Sequence, residues 1–293
     1  MGIWYPSSSP QAPVTVGNIL QTVALDGQVS DDDLPIVVFS HGSAGWYGDR
    51  SESAQRLADA GFVAVSMTYP GDNYQDSNDK AIEQLINRPR ITSRVLDFVT
   101  EVWPGKDHVD KSKIGFYGFS AGGFTGLVAI GGVPDWKLFA SHCAAIPAEG
   151  VCNEGSAAYF SHPKAAQIPA SAWHHDPRIK AAVLVSPGWA FSFDATSISN
   201  INVPVELWGG SKDTVVPFES NIGYVQRYLS HVVSAHEVHD ARHNSFLKPC
   251  SEVVRAKNPD FCSDEPGFDR PAFQADFNTA LVGFFQSELM GKD

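Results

Sequence analysis

The segment KIGFYGFSAGG, residues 113–123, decides the fold of this 293-residue chain. Lys113–Phe119 predicts a buried β-strand, and the small residues from Ala121 to Gly131 predict a helix packed closely on it. Between them, Gly118-x-Ser120-x-Gly122 has the spacing of a sharp strand-to-helix turn that lifts a serine hydroxyl above a sheet. A tight packing turn with an inert serine is the alternative, but the flanking strand and helix favour Ser120 as a nucleophile.

Strand and helix patterns alternate along the rest of the chain. Pro35–Ser40 and Phe62–Tyr69 are apolar runs typical of strands buried on both faces. Further strands are predicted at Ile179–Ser186, Val205–Gly209 and Ala235–Val238. Helical patterns are Arg50–Ala60, a helix within Ile82–Val102 that starts near Pro89, Phe218–Leu229 and Phe273–Leu289. The alternation predicts an α/β fold with a mostly parallel central sheet and helices on both faces.

The length of the chain fits one α/β domain, residues 1–293, and 43% apolar residues suffice for a sizeable core. Residues 132–178 are poor in strand patterns. We expect them to form a small cap over the C-terminal edge of the sheet, where folds of this kind place their sites.

The net charge of the chain argues against some classes of binding partner. There are 21 Lys and Arg against 33 Asp and Glu, a net charge of −12. Such a surface repels phosphate backbones and anionic lipid headgroups, which argues against nucleic-acid and membrane-surface binding. No apolar run reaches the roughly 18 residues that a membrane span needs. The segment Met1–Pro6 lacks the basic and apolar regions of a signal peptide.

The cysteines form two local pairs, Cys143 with Cys152 and Cys250 with Cys262. Neither pair has zinc-site spacing, and both lie in stretches without regular structure. The spacing favours two loop disulfides formed in an oxidising compartment, with four free thiols as the alternative.

The loop after Pro35–Ser40 reads His41-Gly42-Ser43. A nucleophilic serine at such a turn takes one oxyanion donor from the residue after it and a second from a loop of this kind. We expect the N–H groups of Ser43 and Ala121 to be those donors, with His41 holding the loop. Candidates to line a substrate pocket, each with core packing as the alternative, are Trp46, Trp189 and Phe191.

An acid and a base follow the serine in chain order. Asp213 lies just beyond the strand Val205–Gly209, where a carboxylate can orient a histidine. His243 lies a few residues beyond Ala235–Val238, and a histidine suits proton transfer near neutral pH. His239 is the rival base, but it falls at the strand end, too early to reach the serine. The order serine, acid, histidine is that of the α/β-hydrolase fold.

A metal site is the main alternative chemistry, because several histidines crowd one segment. His239 and His243 are spaced four residues apart, a spacing that binds zinc well on a helix. Their segment reads as a strand followed by a loop, and no H-E-x-x-H is present. The sequence therefore predicts neither a metal nor another cofactor.

The chain resembles the predicted dienelactone-hydrolase-like group of α/β-hydrolases, which is related to platelet-activating-factor acetylhydrolases. The resemblance spans nearly the whole chain and is carried by Trp4-Tyr5-Pro6, Val38–Gly42, Gly115–Gly123, Asp176–Ala181 and the Cys250…Cys262–Arg270 tail. It implies ester hydrolysis by Ser120, Asp213 and His243 and a secreted or periplasmic location. Dienelactone hydrolases proper use a cysteine nucleophile, so their lactone substrate is not implied. The N-terminal strands look shorter than those of the group.

These observations predict a serine hydrolase that cleaves carboxylic esters through an acyl-enzyme. A modest acyl group is expected, because the sequence shows a small cap and no long lid. An amidase or a polyester or lipid hydrolase would use the same residues. A metal-dependent hydrolase and a catalytically inactive binding module are the other classes considered. The oligomeric state is not indicated.

Overall fold

The computed structural model describes residues 1–17, 19–77, 81–153 and 168–291, and a seven-stranded sheet forms their centre. In spatial order its strands are β1 (Gly2–Trp4), β5 (Val63–Ser66), β4 (Leu34–Ser40), β8 (Val109–Phe119), β9 (Ile179–Val185), β10 (Val205–Gly210) and β11 (Val232–Val238). Strand β1 pairs antiparallel with β5, and the other pairings are parallel. Two small hairpins lie outside this sheet: β2 (Ala12–Val16) with β3 (Ile19–Val23), and β6 (Asp72–Asn73) with β7 (Asp76–Ser77).

The described helices are α1 (Ser51–Asp59), α2 (Ala81–Glu101), α3 (Ala121–Ala129), α4 (Trp136–Ala145), α5 (Gly150–Asn153), α6 (Ala195–Ser199), α7 (Ile222–Tyr228), α8 (Glu252–Lys257), α9 (Pro259–Cys262) and α10 (Arg270–Phe285). Short 3₁₀ turns are Lys106–His108, Ala170–Ala172, Ala190–Ser192 and His243–Phe246, and a π turn, Gln286–Met290, follows α10. None of the helices in the described part of the chain is long and apolar enough to cross a membrane.

Helices cover both faces of the sheet because alternate strand residues point to opposite sides. On one face, Ile36 and Val38 of β4 belong to a core that includes residues of α2, α3 and α7. On the other face, Val37 and Phe39 pack in a core with residues of α1 and α10. Every residue of β4 is buried, as its continuous apolar run predicts. The predicted α/β fold with a mostly parallel sheet is confirmed.

One predicted boundary is wrong: α2 starts at Ala81, so Pro89 lies inside the helix and not near its start. Proline removes one backbone hydrogen bond and normally ends or kinks a helix. Here the turn before it is held by tertiary contacts of the fully buried Arg88, described below. Another element, the β2–β3 hairpin, was not predicted, because its short strands are mostly exposed and lack an apolar run.

Both predicted cysteine pairs are disulfides, Cys143–Cys152 with Cα atoms 5.3 Å apart and Cys250–Cys262 with Cα atoms 5.7 Å apart. The first joins α4 to α5, in the region predicted as a cap. The described part of this region contains α4, α5 and the 3₁₀ turn Ala170–Ala172 joined by loops, and its residues 154–167 lie outside the described residues. The N–H of Gly150 donates to the carbonyl of Thr214, which ties α5 to the loop after β10.

Candidate active site

The candidate site lies where the order of the strands reverses. From β4 the chain adds β5 on one side, and it then returns to place β8 on the other side of β4. Loops leaving two neighbouring parallel strands in opposite directions open a crevice at their carboxyl ends. His41-Gly42-Ser43 leaves β4 at this crevice, and Ser120 follows β8.

Ser120 sits on a strained turn between β8 and α3. Its backbone has φ 55° and ψ −117°, a left-handed region that a non-glycine residue rarely adopts. The flanking glycines make the turn possible: a Cβ at Gly122 would collide with the Ser40 carbonyl, and one at Gly118 with the Gly122 carbonyl. The Ser120 N–H donates to the carbonyl of Val185 on β9, which fixes the turn against the sheet. The turn presents the hydroxyl at the crevice.

His243 lies between the hydroxyl of Ser120 and the carboxylate of Asp213. Its Nε2 is 3.0 Å from Ser120 Oγ, and its Nδ1 is 2.7 Å from Asp213 Oδ2. The other carboxylate oxygen of Asp213 accepts from the N–H groups of Val215 and Val216 at 2.9 and 2.7 Å. Asp213 is therefore held in one orientation, with its side chain fully buried. The acceptor at Nδ1 favours the tautomer that leaves Nε2 free to take the Ser120 proton.

The two residues predicted to supply oxyanion donors, Ser43 and Ala121, lie near Ser120. Gly42 packs against the turn that carries Ser120, since a Cβ there would lie 3.4 Å from Ser120 Cβ. Ser43 lines the same cavity as Ser120, and Ala121 is the first residue of α3. In the described part of the chain, neither the Ser43 N–H nor the Ala121 N–H donates to an internal acceptor. A helix N-terminus also favours negative charge at this point.

A buried ion pair clamps the loop that carries Ser43. Arg88 donates to the carbonyl oxygens of His41 and Gly42 at 2.7 and 3.1 Å, and it pairs with Asp72 at 2.8 Å. The other oxygen of Asp72 accepts from the Ala44 N–H at 2.9 Å. Arg88 and Asp72 thus hold the backbone on both sides of the Ser43 N–H.

His41 completes the clamp through its ring. Its Nε2 accepts from the Tyr69 N–H at 3.1 Å, and its Nδ1 lies 2.6 Å from the Gly42 carbonyl, to which the Nδ1–H donates. Burial, together with the nearby Arg88 charge, lowers the pKa of His41 to about 3, so the ring is neutral at physiological pH. His41 is a structural group in this loop.

A second buried arginine supports the loop that carries His243. Arg50 donates to the Phe246 carbonyl and, at 2.8 Å, to Gln274 Oε1, while Gln274 donates to the Ser245 carbonyl at 2.8 Å. The Ser245 hydroxyl donates to Asp264 at 2.7 Å. These contacts fix the 3₁₀ turn that begins with His243.

Ser120 and His243 open into a cavity of about 1230 Å³. Trp46 and Trp189, both predicted pocket residues, line it. Trp189 has φ 54°, so a second strained residue lines the same cavity as Ser120. Phe191 lies elsewhere: it is buried against Phe139 and stacks on the His142 ring at 3.7 Å. The described lining of this cavity does not include Phe191, because its 3₁₀ turn directs it into the packing under α4.

The rival histidine is not at the site. His239 points to solvent, with 89% of its side chain exposed, and its Nδ1 lies 3.0 Å from Asp240. Across the described residues, no group of three or more His, Cys, Asp or Glu side chains is placed to hold a metal ion. A second cavity of about 520 Å³ lies between β1 and the β2–β3 hairpin, away from Ser120.

Sequence reasoning missed Arg88, Asp72 and Arg50. Each comes from a segment with no chemical motif, and each acts on a loop far away in sequence. The Asp264–Arg270 pair, at 2.8 Å, was visible only as part of the C-terminal tail that carried the family resemblance. Its place beneath Ser245 gives that tail a structural role.

Compared with known proteins, the chain matches no protein-family model, and no curated protein matches it.

Proposed function

We propose that this protein is a serine hydrolase of the α/β-hydrolase fold that cleaves carboxylic esters. The observation that carries the proposal is the continuous hydrogen-bonded line from Ser120 Oγ through His243 to the buried Asp213 carboxylate. The strained turn at Ser120 and the two unengaged N–H groups beside it support the same chemistry.

The proposed reaction has two steps. Ser120 Oγ attacks the ester carbonyl carbon while its proton passes to His243 Nε2, and the N–H groups of Ser43 and Ala121 stabilise the oxyanion. The C–O bond to the alcohol breaks as His243 returns the proton to the leaving oxygen. Water then attacks the acyl-enzyme with His243 as base, which releases the acid and restores Ser120. Asp213 stabilises the imidazolium in both steps.

We also propose membership of the dienelactone-hydrolase-like group and a secreted or periplasmic location. The first rests on the sequence resemblance and on the role of its tail beneath His243. The second rests on the two disulfides, which persist in oxidising compartments.

The test is hydrolysis of p-nitrophenyl acetate by the wild type and by Ser120→Ala, with and without a chelator. We expect Ser120→Ala to lower kcat by at least about 10⁴-fold and the chelator to have no effect on the wild type. Asp213→Asn should lower kcat by about 10⁴-fold, because the histidine loses its oriented tautomer. Full activity in Ser120→Ala, or loss of activity with chelator, would contradict the proposal.

A further inference from the structure

The 13 residues from Cys250 to Cys262, here called the arm, form one wall of the cavity at Ser120. The arm consists of α8 and α9 and is closed by the Cys250–Cys262 disulfide. Val254 and Phe261 of the arm line the cavity together with Ser120 and His243. The arm has no hydrophobic core of its own, because its residues are largely exposed. The disulfide that joins its two ends holds this wall of the cavity in place.

The arm presents apolar side chains that remain open to solvent. Phe261 is 43% exposed, although it lines the cavity. Tyr74, another lining residue, is 62% exposed and meets Trp46 edge to face at 6.1 Å between ring centroids. Aromatic side chains that line one cavity together with a candidate nucleophile suit the binding of apolar groups.

The size of the cavity also points to a large substrate. Pockets for small ligands commonly measure about 300–1,000 Å³, and this cavity is larger, at about 1230 Å³. An acetate ester would leave most of this apolar lining in water. The modest acyl group expected from the sequence therefore leaves much of the cavity unused.

The charges in the lining argue against an anionic chain. Asp49, Asp72 and Asp260 line the cavity, where Lys248 is the one Lys or Arg among the described lining residues. Asp49 and Lys248 attract each other. This leaves no surplus cation to bind a carboxylate or phosphate on the substrate.

We propose that the arm, with Trp46 and Tyr74, is a subsite for a neutral alkyl chain of the ester, so that the enzyme prefers esters with medium or long chains to acetates. The inference rests on the proposed esterase function. The alkyl chain lies against Val254 and Phe261, and the ester carbonyl lies at Ser120.

The chain offers a matched pair of variants on one helix. Val254 lines the cavity, whereas its neighbour Val253 is 66% exposed and points to solvent. Val254→Ser therefore removes apolar surface from the subsite, and Val253→Ser makes the same chemical change outside it. Phe261→Ala is a second subsite variant, with Tyr228→Ala, an exposed aromatic on α7, as its control.

The experiment measures kcat/KM below micellar concentrations for two series of esters. One series lengthens the acyl chain of p-nitrophenyl esters from C2 to C10, and the other lengthens the alcohol of n-alkyl acetates. We expect kcat/KM to rise by about tenfold or more from C2 to C8 in one of the series, which also shows on which side of the ester the chain binds. In Val254→Ser and Phe261→Ala, the ratio of kcat/KM at C8 to kcat/KM at C2 should fall about fivefold from its wild-type value. Val253→Ser and Tyr228→Ala should match the wild type throughout.

Three results would overturn the inference: no rise with length in either series, a rise that Val254→Ser and Phe261→Ala leave intact, or an equal loss in Val253→Ser. Because the C2 esters report the basal reaction and the folded state of each variant, these results differ from failure of the esterase proposal. In that case the wild type would hydrolyse no ester of either series.

Discussion

Two loops flank Ser120, and the protein holds them by opposite means. The loop His41–Ala44 is fixed by buried polar groups, chiefly the Arg88–Asp72 pair and the His41 ring. The Cys250–Cys262 arm consists of short, largely exposed helices closed by one disulfide.

The difference follows from what each loop must present. An oxyanion donor must sit within a few tenths of an ångström of its position, and several directional hydrogen bonds in a low-dielectric interior can fix it there. An alkyl chain needs only an apolar surface, since the hydrophobic effect has no direction. A disulfide-closed segment that presents apolar side chains meets that need. The two loops should therefore respond differently to substitution, pH and reduction.

The largest expected effect comes from breaking the clamp with Arg88→Met. This change leaves Asp72 without its cationic partner and frees the carbonyls of His41 and Gly42, so the Ser43 N–H loses its position. We expect kcat for p-nitrophenyl acetate to fall by about 10²-fold with KM within a few-fold, because the donor acts on the transition state. The free energy of unfolding should fall by about 3 kcal/mol.

Arg94→Met is the control, because Arg94 is exposed on the same helix. Arg88→Lys should give an intermediate kcat, since an ammonium keeps the charge and loses the forked geometry. Unchanged kcat in a folded Arg88→Met protein would show that the clamp does not position the donor.

The next effect is a pH dependence of stability that arises in the same loop. Burial holds the pKa of His41 at about 3, while in the unfolded chain the ring takes a proton near pH 6.5. The stability from neutral His41 is therefore present above pH 6.5 and is lost as the pH falls towards 3. Between pH 7.5 and 5 the loss should be about 2 kcal/mol, measured by urea unfolding, and His41→Gln should remove this slope.

Asp49 provides a control of opposite sign. Burial raises its pKa to about 6, so folding with a charged Asp49 becomes costly as the pH rises from 3.8 to 6. Asp49→Asn should therefore gain stability relative to the wild type over this range. If the free energy of unfolding of His41→Gln depends on pH as strongly as that of the wild type, another group is responsible for the acid sensitivity.

The smallest effect concerns the arm. Replacing both Cys250 and Cys262 by Ala removes the disulfide that closes the arm and leaves the buried Arg88–Asp72 pair unchanged. Hydrolysis of p-nitrophenyl acetate should stay within about twofold of the wild type, whereas kcat/KM for the preferred longer esters should fall about threefold. A large loss on the acetate would mean that the arm also positions the reacting groups, and the contrast between the two loops would fail.

Much of the sheet and the hydrogen-bonded line at Ser120 could be predicted from the sequence. Strands such as Leu34–Ser40 are buried on both faces and therefore read as continuous apolar runs. Ser120, Asp213 and His243 could be chosen because each lies just after a strand, in a fixed order along the chain. Candidate functional residues that directly follow a strand can be recognised from the local sequence pattern.

The clamp left no such signal. Arg88 directly precedes Pro89, and this proline predicts a helix start. The hydrogen-bond partners of Arg88 lie 46 and 47 residues away, at Gly42 and His41. Phe191 follows a strand as Trp189 does, yet only Trp189 lines the cavity. The two side chains point in different directions because a 3₁₀ turn begins between them. Tertiary packing sets the direction of a side chain across such a turn.

Covalent labelling with a fluorophosphonate, read by mass spectrometry of the intact protein and its peptides, tests the central claim most directly. We predict one phosphonyl adduct per chain on Ser120, a rate of labelling that falls in His243→Gln, and no adduct in Ser120→Ala. Labelling that persists in Ser120→Ala, or a folded wild-type protein that is not labelled, would contradict the assignment of Ser120 as the nucleophile.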